Sequence, residues 1–239
     1  IMQLTVGSIK LPHAAVLAPM SGITDQPFRR IVKLLGGGLV VSEMVASHAI
    51  LNSIKKEIRK LKFSAKEEAP LSIQLAGWEP AIMAEAAKIA EQLGASIIDI
   101  NLGCPAKKVT GRFSGSALMQ NPGLTAEICS AVVNATSIPV TLKMRLGWDE
   151  LNKNAPEIGL LAEEAGVKML VVHGRTRIQM YKGEADWKEI RKTVDQVSIP
   201  VLANGDINNL SNVQTALSQS GAQGVMIGRG AQGKPWFLG

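Results

Sequence analysis

The residue whose type and position most clearly indicate a reactive site is Cys104, which lies in the segment Asn101-Leu102-Gly103-Cys104-Pro105-Ala106-Lys107-Lys108. The apolar run 95–100 directly precedes this segment, so the thiol is expected where a buried strand opens into a loop. Barrel enzymes place their catalytic groups at such strand ends. Because Lys107 and Lys108 follow the thiol closely, the loop predicts a reaction site that faces a polyanion.

Polar residues also fall at or near the ends of five apolar runs, namely Gln74, Asn101, Lys143, His173 and Asn204. In a parallel barrel the C-terminal ends of all strands surround a single mouth. Five polar side chains from five strands could therefore contact one ligand together.

The elements that must position these residues are eight short apolar runs that alternate with segments of helical spacing, for example after Glu79-Pro80. The runs are 14–18, 39–42, 71–74, 97–100, 140–143, 170–173, 201–204 and 224–227. This alternation predicts a parallel sheet, and eight repeats favour an α/β fold of the (β/α)8 TIM-barrel type that spans residues 1–239 as one domain. The alternative, an open dinucleotide-binding sheet, is disfavoured because no G-x-G-x-x-G follows the first run.

Composition restricts the class of protein further. The 239 residues are 46% hydrophobic and 19% charged, which is typical of one large core. No apolar stretch reaches the length of a membrane span, and Ile1 to Leu11 lacks the features of a signal peptide. Cys104 and Cys129 have no neighbour that suggests zinc binding, and the net charge of +6 favours anionic partners. We expect a cytoplasmic monomer that binds neither metal nor membrane.

Six motifs are distributed along the chain: APMSGITDQPFR at 18–29, DINLGCP at 99–105, KMRLGW at 143–148, HGRTR at 173–177, ANGDI at 203–207 and MIGRGA at 226–231. Together they resemble the tRNA-dihydrouridine synthase family, and in particular the bacterial branch whose active loop reads G-C-P-A-K-K-V. They occur in the family's order over residues 14–236, so the resemblance covers nearly the whole chain.

The resemblance implies an FMN-dependent barrel enzyme that reduces a tRNA uridine to 5,6-dihydrouridine with NADPH as the reductant. It implies that the flavin phosphate is held after the last two strands, where barrels commonly bind phosphate, and that a lysine lies beside the flavin pyrimidine edge. The residues expected to bind FMN are Pro19, Met20, Ser21, Gln74, Lys143, His173, Asn204, Gly205, Asp206, Gly228 and Arg229.

The same resemblance makes Cys104 the acid that protonates carbon five of the uracil, since an ordinary thiol with a pKa of about 8.5 is mostly protonated near neutrality. Asn101 could read the uracil or hold the flavin, and the sequence leaves both roles open. Cys129, in the helix-like segment 124–135, is expected to be a buried small hydrophobe. The residues expected to bind the RNA substrate are Asn101, Lys107, Lys108, Arg112, Arg145, Arg175 and Arg177.

Two other functions stay open at this point. One is an FMN barrel reductase of the dihydroorotate dehydrogenase kind, which acts on a free pyrimidine and does not need the basic residues Lys107, Lys108 and Arg112. The other is a tRNA-binding module without catalysis. Family members normally continue into a C-terminal helical domain that holds tRNA, and we expect that domain to be absent here because the sequence ends at Gly239.

Overall fold

The computed structural model describes residues 3–52, 61, 63–111 and 113–239. Its centre is a closed barrel of eight parallel strands, so the predicted (β/α)8 fold is confirmed. The barrel strands are β3 (Ala15–Leu17), β4 (Leu39–Val41), β6 (Leu71–Ala76), β7 (Ile97–Leu102), β8 (Val140–Arg145), β9 (Met169–His173), β10 (Val201–Asn204) and β11 (Gly224–Ile227).

The strands pair in chain order, and the pairing of β11 with β3 closes the cylinder. A short additional strand, β5 (Val45–Ala46), pairs with the end of β6 beyond β4. The register sets Gln74, Asp99 and Thr141 side by side on three neighbouring strands. These three side chains therefore lie in one layer of the barrel.

Helices connect the strands and cover the outside of the barrel. Several of them begin at the capping residues that sequence favours, as when the Asp25 carboxylate accepts a hydrogen bond from the Phe28 amide. The described helices are Gln26–Leu34, Ser47–Leu51, Ala65–Glu68, Pro80–Gln92, Lys107–Thr110, Pro122–Ala135, Ala155–Glu164, Trp187–Val194 and Leu210–Ser220, with 3-10 turns at Gly115–Gln120, Arg229–Ala231 and Pro235–Leu238. Among the described residues, no helix is long and apolar enough to span a membrane.

An N-terminal hairpin that the sequence analysis missed packs against the barrel interior. Its strands are β1 (Leu4–Val6) and β2 (Ile9–Leu11), and its buried side chains join the apolar cluster of the lumen. Gly7, at φ 57°, sits so close to Pro139 that a Cβ would lie 2.8 Å from the proline ring. Because Pro139 directly precedes β8, the hairpin covers the N-terminal end of the barrel, opposite the mouth.

Alternation along each strand separates two cores. In β8, Val140, Leu142 and Met144 belong to the large cluster between strands and helices, and the intervening residues face the lumen. The lumen is apolar near the hairpin and polar nearer the mouth. Gln74 and Lys143 were expected at strand ends, but β6 continues to Ala76 and β8 to Arg145. They reach the ligand space because they point inward rather than because their strands end.

The loop that carries Cys104 (residues 102–120, the Cys104 loop) contains regular structure. It contains the helix Lys107–Thr110 and the 3-10 turn Gly115–Gln120. Arg112, which was expected to bind RNA, lies outside the described residues. The loop is therefore a folded cap over the strand β7 rather than an irregular rim.

Candidate active site

A cavity of about 540 Å³ opens at the C-terminal mouth of the barrel, a volume that suits a cofactor-sized ligand. Every residue that was expected to bind the cofactor lines it, and so do Asn101, Cys104 and Arg145. The strand-end argument predicted that Gln74, Asn101, Lys143, His173 and Asn204 face one space, and all five line this cavity. The expected cofactor residues on its wall are Pro19, Met20, Ser21, Gln74, Lys143, His173, Asn204, Gly205, Asp206, Gly228 and Arg229.

The Cys104 side chain is half-buried at this wall, and its backbone is held from two directions. The Asn101 side-chain oxygen accepts a hydrogen bond from the Cys104 amide at 3.0 Å. The Ser116 amide and hydroxyl both donate to the Cys104 carbonyl, at 3.1 and 2.9 Å. Gly115, at φ 61°, allows this approach because a Cβ there would lie 2.7 Å from the same carbonyl.

Asn101 uses both ends of its amide inside the protein. Its nitrogen donates to Gln74 Oε1 at 2.7 Å, while its oxygen accepts the hydrogen bond from the Cys104 amide. Gln74 in turn donates through Nε2 to the Asp99 carboxylate at 2.6 Å. One face of the cavity is therefore a connected set of hydrogen bonds that ends at the backbone of Cys104.

Two cations lie on this face beside the thiol. Burial lowers the pKa of Lys143 to about 8, helped by the neighbouring Arg145 and opposed by Asp99 and Cys104. Burial also lowers the pKa of Arg145 to about 10. Arg145 donates hydrogen bonds to the carbonyls of Gly103, Thr176 and Met180, so it connects the Cys104 loop to the loop after β9. At neutral pH both side chains are predominantly charged.

His173 is buried, with 8% of its surface exposed, and its Nδ1 has no hydrogen-bond partner among the described residues. Burial holds the pKa of His173 well below its usual range, and Lys143, Arg145, Arg175 and Arg229 lower it further. The imidazole is thus neutral near pH 7. The ring lines the cavity as an uncharged group, but its Nδ1 is inaccessible from the cavity.

The opposite end of the cavity is built from glycine turns and a buried ion pair. Gly205 and Asp206 both have positive φ, at 112° and 55°. Arg175 binds the Asp206 carboxylate through two nitrogens, at 3.0 and 2.6 Å. Gly230 packs so tightly on the carbonyl of Ile207 that a side chain would collide with it. The turns after β10 and β11 therefore pack closely against each other. The negative charge of Asp206 is balanced by the guanidinium of Arg175.

Four residues that were expected to bind RNA do not line this cavity. Arg175 is 2% exposed, and its guanidinium is bonded to Asp206 and to the carbonyls of Lys182 and Gly183. Arg177 stacks over the Trp148 ring at 4.7 Å. Lys107 and Lys108 are exposed on their short helix outside the cavity.

Sequence reasoning missed two residues of the site. Tyr181 is 57% exposed at the mouth, where the guanidinium carbons of Arg229 and Arg145 lie 5.2 and 5.6 Å from its ring centre. It is the single tyrosine of the chain and follows β9 by a few residues, which could have drawn attention to it. Asp99 is 1% exposed, and a carboxylate within the apolar run 95–100 was the available signal.

A closed parallel barrel with a cavity at its C-terminal mouth, lined in part by polar residues from several strands, defines the class of barrel enzymes. The family model described as dihydrouridine synthase matches residues 16–239. The chain therefore belongs to the dihydrouridine synthase family, as its motifs predicted.

Similar proteins from several bacteria agree with this assignment. A probable tRNA-dihydrouridine synthase of Rhodobacter capsulatus is 56% identical over 237 residues, which are 99% of this chain and 73% of that protein. The corresponding protein of Rickettsia conorii is 53% identical over 99% of this chain and 71% of its own length. The tRNA-dihydrouridine synthase B of Pseudomonas aeruginosa is 50% identical over 98% of this chain and 70% of its own length.

A solved structure, morphinone reductase, has the same fold. It superposes with a TM-score of 0.67 at 14% identity, and the match covers 99% of this chain and 87% of that one. At this identity the likeness bears on the barrel alone.

Proposed function

We propose that this protein reduces a uridine of tRNA to 5,6-dihydrouridine, with FMN in the barrel mouth, NADPH as the electron source and Cys104 as the proton donor. Residues 1–239 are then the FMN-binding catalytic domain of a cytoplasmic, monomeric enzyme. The observation that carries the proposal is that one cavity gathers Cys104 with every side chain expected to hold the flavin, in a chain of the dihydrouridine synthase family.

The residues present fit a flavin at three points. The neutral His173 ring lines the cavity, and the charged Lys143 would supply a cation beside the flavin ring, which gains negative charge on reduction. The segment Pro19–Ser21 lines the cavity next to Gly228. A Cβ on Gly228 would lie 3.6 Å from Met20 Sδ, which is van der Waals contact. When bound, the flavin supplies the hydride that adds to carbon six of the uracil.

The phosphate of FMN is best accommodated beside the turns after β10 and β11. Arg229 is 56% exposed at the cavity mouth and lies 3.5 Å from Asp206, too far for a strong hydrogen bond. Because Arg175 already neutralises Asp206, the guanidinium of Arg229 stays available for an anion. Backbone amides at Gly228 and Gly205 add donors that no side chain obstructs.

Cys104 donates the proton that adds to carbon five: its S–H bond breaks, a C–H bond forms, and together with the hydride supplied by the flavin this proton saturates the double bond. The thiolate left behind is stabilised by the charges of Lys143 and Arg145, which both act on Cys104. The hydrogen bonds from Ser116 and to Asn101 fix where the thiol lies relative to the cavity. The loop geometry and the two cations thus serve one proton transfer.

A uridine stacked within tRNA cannot enter the barrel mouth, so the substrate base must be extruded or single-stranded. The mouth carries Tyr181 and Arg229 at its edge, and Lys107 and Lys108 lie exposed on the neighbouring loop. Aromatic and basic groups of this kind suit a flipped base and its phosphates.

The experiment that tests this function incubates the purified protein with FMN, NADPH and unmodified tRNA transcript, and digests the RNA for mass spectrometry. The expected product is a uridine that is heavier by two hydrogens, formed only when flavin, NADPH and protein are all present. A parallel incubation with free uridine or orotate checks the alternative reductase. Turnover of the free pyrimidine without any change in tRNA would contradict the proposal.

A further inference from the structure

Asp99 is a buried acidic residue beside the site to which the proposed function gives no role. Asp99 points into the lumen from β7, two residues before Asn101, and is 1% exposed. Its Oδ2 accepts a hydrogen bond from Gln74 Nε2 at 2.6 Å, and its Oδ1 accepts one from the Thr141 hydroxyl at 2.6 Å. A buried carboxyl is costly unless it is well bonded, so its place directly below the site calls for a physical reason.

The hydrogen bonds above Asp99 form a chain with a single possible direction. The amides of Cys104 and Gly103 can only donate, so the acceptor that they meet, at 3.0 and 3.3 Å, must be the Asn101 oxygen. Asn101 then turns its nitrogen to Gln74 Oε1, at 2.7 Å. Gln74 must therefore turn its own nitrogen downward, and only an acceptor at the bottom of the chain can receive it.

Asp99 supplies that acceptor. Burial raises the pKa of its carboxyl, while the hydrogen bonds from Thr141 and Gln74 and the charge of Lys143 oppose the rise. The chain works in either protonation state, because a proton on Oδ1 can be donated to the Thr141 hydroxyl and leaves Oδ2 to accept from Gln74. What matters is an oxygen at the position of Oδ2.

We infer that Asp99 is a positioning residue that acts through Gln74 and Asn101, fixing the orientation of both amides at the cavity wall and the position of the Cys104 backbone. This inference rests on the proposed function, since it assigns Asp99 to the same proton transfer. Asp99 touches neither substrate nor cofactor in this account. Its effect is transmitted through two side-chain amides over the distance from one barrel layer to the next.

The test compares Asp99→Leu, which removes the acceptor but keeps a side chain branched at Cγ, with Asp99→Asn, which keeps an oxygen for Gln74 and can donate to the Thr141 hydroxyl. We expect Asp99→Leu to slow uridine-dependent oxidation of the reduced flavin by roughly 100-fold, the order expected for a misplaced reacting group. Asp99→Asn should lose less than about tenfold, since a neutral hydrogen bond replaces a charged one. Reduction of the flavin by NADPH, which does not need Cys104, should change little in either variant.

Hydrogen exchange supplies a readout that does not depend on turnover. In Asp99→Leu the peptide that covers residues 101–105 should exchange faster than in Asp99→Asn, because the amides of Gly103 and Cys104 lose an oriented acceptor. Thr141→Val is the matched control, since it removes the other hydrogen bond of Asp99 and leaves the chain to Cys104 intact. It should keep the rate and the exchange of the unmodified protein within about threefold, the scale of one neutral hydrogen bond.

Three results would overturn the inference: an unchanged rate in Asp99→Leu, equal losses in Asp99→Leu and Asp99→Asn, or an equal loss in Thr141→Val. Where Asp99→Leu does not fold, Asp99→Ala removes the acceptor without added bulk and decides the matter by the same criteria. Failure of the proposed function looks different, because then the unmodified protein itself forms no dihydrouridine.

Discussion

The two sides of the cavity are built in different ways. On the side of β6 to β8, side chains bond one another in a chain from Asp99 to the backbone of Cys104. On the side of β9 to β11, glycine turns bring backbone close to the ligand space, and Arg175 and Asp206 form a partly buried pair behind them.

This difference gives the two sides different tasks for a physical reason. A chain of short hydrogen bonds fixes positions, and position governs the rate of a proton transfer. Glycine turns and a free guanidinium bind an anion without demanding one exact geometry. Changes in the hydrogen-bond chain of the first side should therefore alter the rate, and changes at the anion-binding turns of the second side should alter cofactor affinity.

The largest expected effect is on the first side. Cys104→Ala should retain bound flavin but form dihydrouridine roughly 100 to 10,000 times more slowly, the range for loss of a general acid. Product is measured by mass spectrometry and flavin content by absorbance. Cys129→Ala is the matched control, because burial raises the pKa of that thiol to about 12 and it lies away from the cavity. A fast Cys104→Ala variant would refute the assignment of the acid.

On the second side, Arg175→Leu should chiefly affect stability. It leaves the Asp206 carboxylate, 26% exposed, without its bidentate partner. Breaking a buried pair costs about 3 to 5 kcal/mol, and partial exposure of Asp206 places the loss near 2 to 3 kcal/mol. Denaturant unfolding measures the change. Loss of flavin affinity at undiminished stability would mean that Arg175 meets the ligand instead.

Arg229→Leu should affect binding and leave stability almost unchanged, since its contact with Asp206 is long and exposed. We expect FMN affinity to fall by roughly tenfold, as for loss of one charge-assisted hydrogen bond. Riboflavin, which has no phosphate, should bind both forms equally well in a fluorescence titration. An equal loss for riboflavin would move the phosphate away from the turns after β10 and β11.

The charge of Lys143 predicts a pH dependence. Because burial lowers its pKa to about 8, the ammonium loses its proton as the pH rises through that value, and FMN affinity should weaken between pH 7 and 9. Lys143→Met should flatten this dependence. The same shift makes folding more favourable as the pH rises from about 8 towards the unfolded value of 10.5, since the buried charge is relieved. Affinity that rises with pH would contradict the role.

The smallest effect concerns RNA. Lys107→Ala and Lys108→Ala should each raise the KM for tRNA modestly and reduce its salt dependence by about one counterion, as for loss of one phosphate contact. Activity on a short single-stranded RNA that does not reach the loop is the control. An unchanged salt slope in both variants would exclude these lysines from the RNA interface.

The sequence predicted the fold and much of the lining of the cavity because both follow from local patterns. Apolar runs marked all eight barrel strands, and inward polar residues such as Gln74 and Lys143 followed from their place in those runs. The hairpin at Leu4–Leu11 escaped because a polar residue interrupts each of its short strands, Leu-Thr-Val and Ile-Lys-Leu, so neither forms a continuous apolar run like those of the barrel.

Pairing across the fold was beyond the sequence. Arg175 was expected to bind RNA because it follows a strand at the mouth of the barrel. Its guanidinium instead binds Asp206, 31 residues later in the chain. Asp99 looked like part of an apolar strand until register placed it beside Gln74 and Thr141. Such contacts depend on which side chains face the lumen in the same layer, and that is a property of the closed barrel.

The most direct test of the account is an anaerobic single turnover. The FMN-loaded protein is reduced with one equivalent of NADPH and mixed with unmodified tRNA, and flavin absorbance is followed while dihydrouridine is counted in the quenched RNA. The account predicts that the flavin is oxidised as tRNA is added and that one dihydrouridine forms per flavin oxidised. A flavin that stays reduced, with unaltered tRNA, would contradict it.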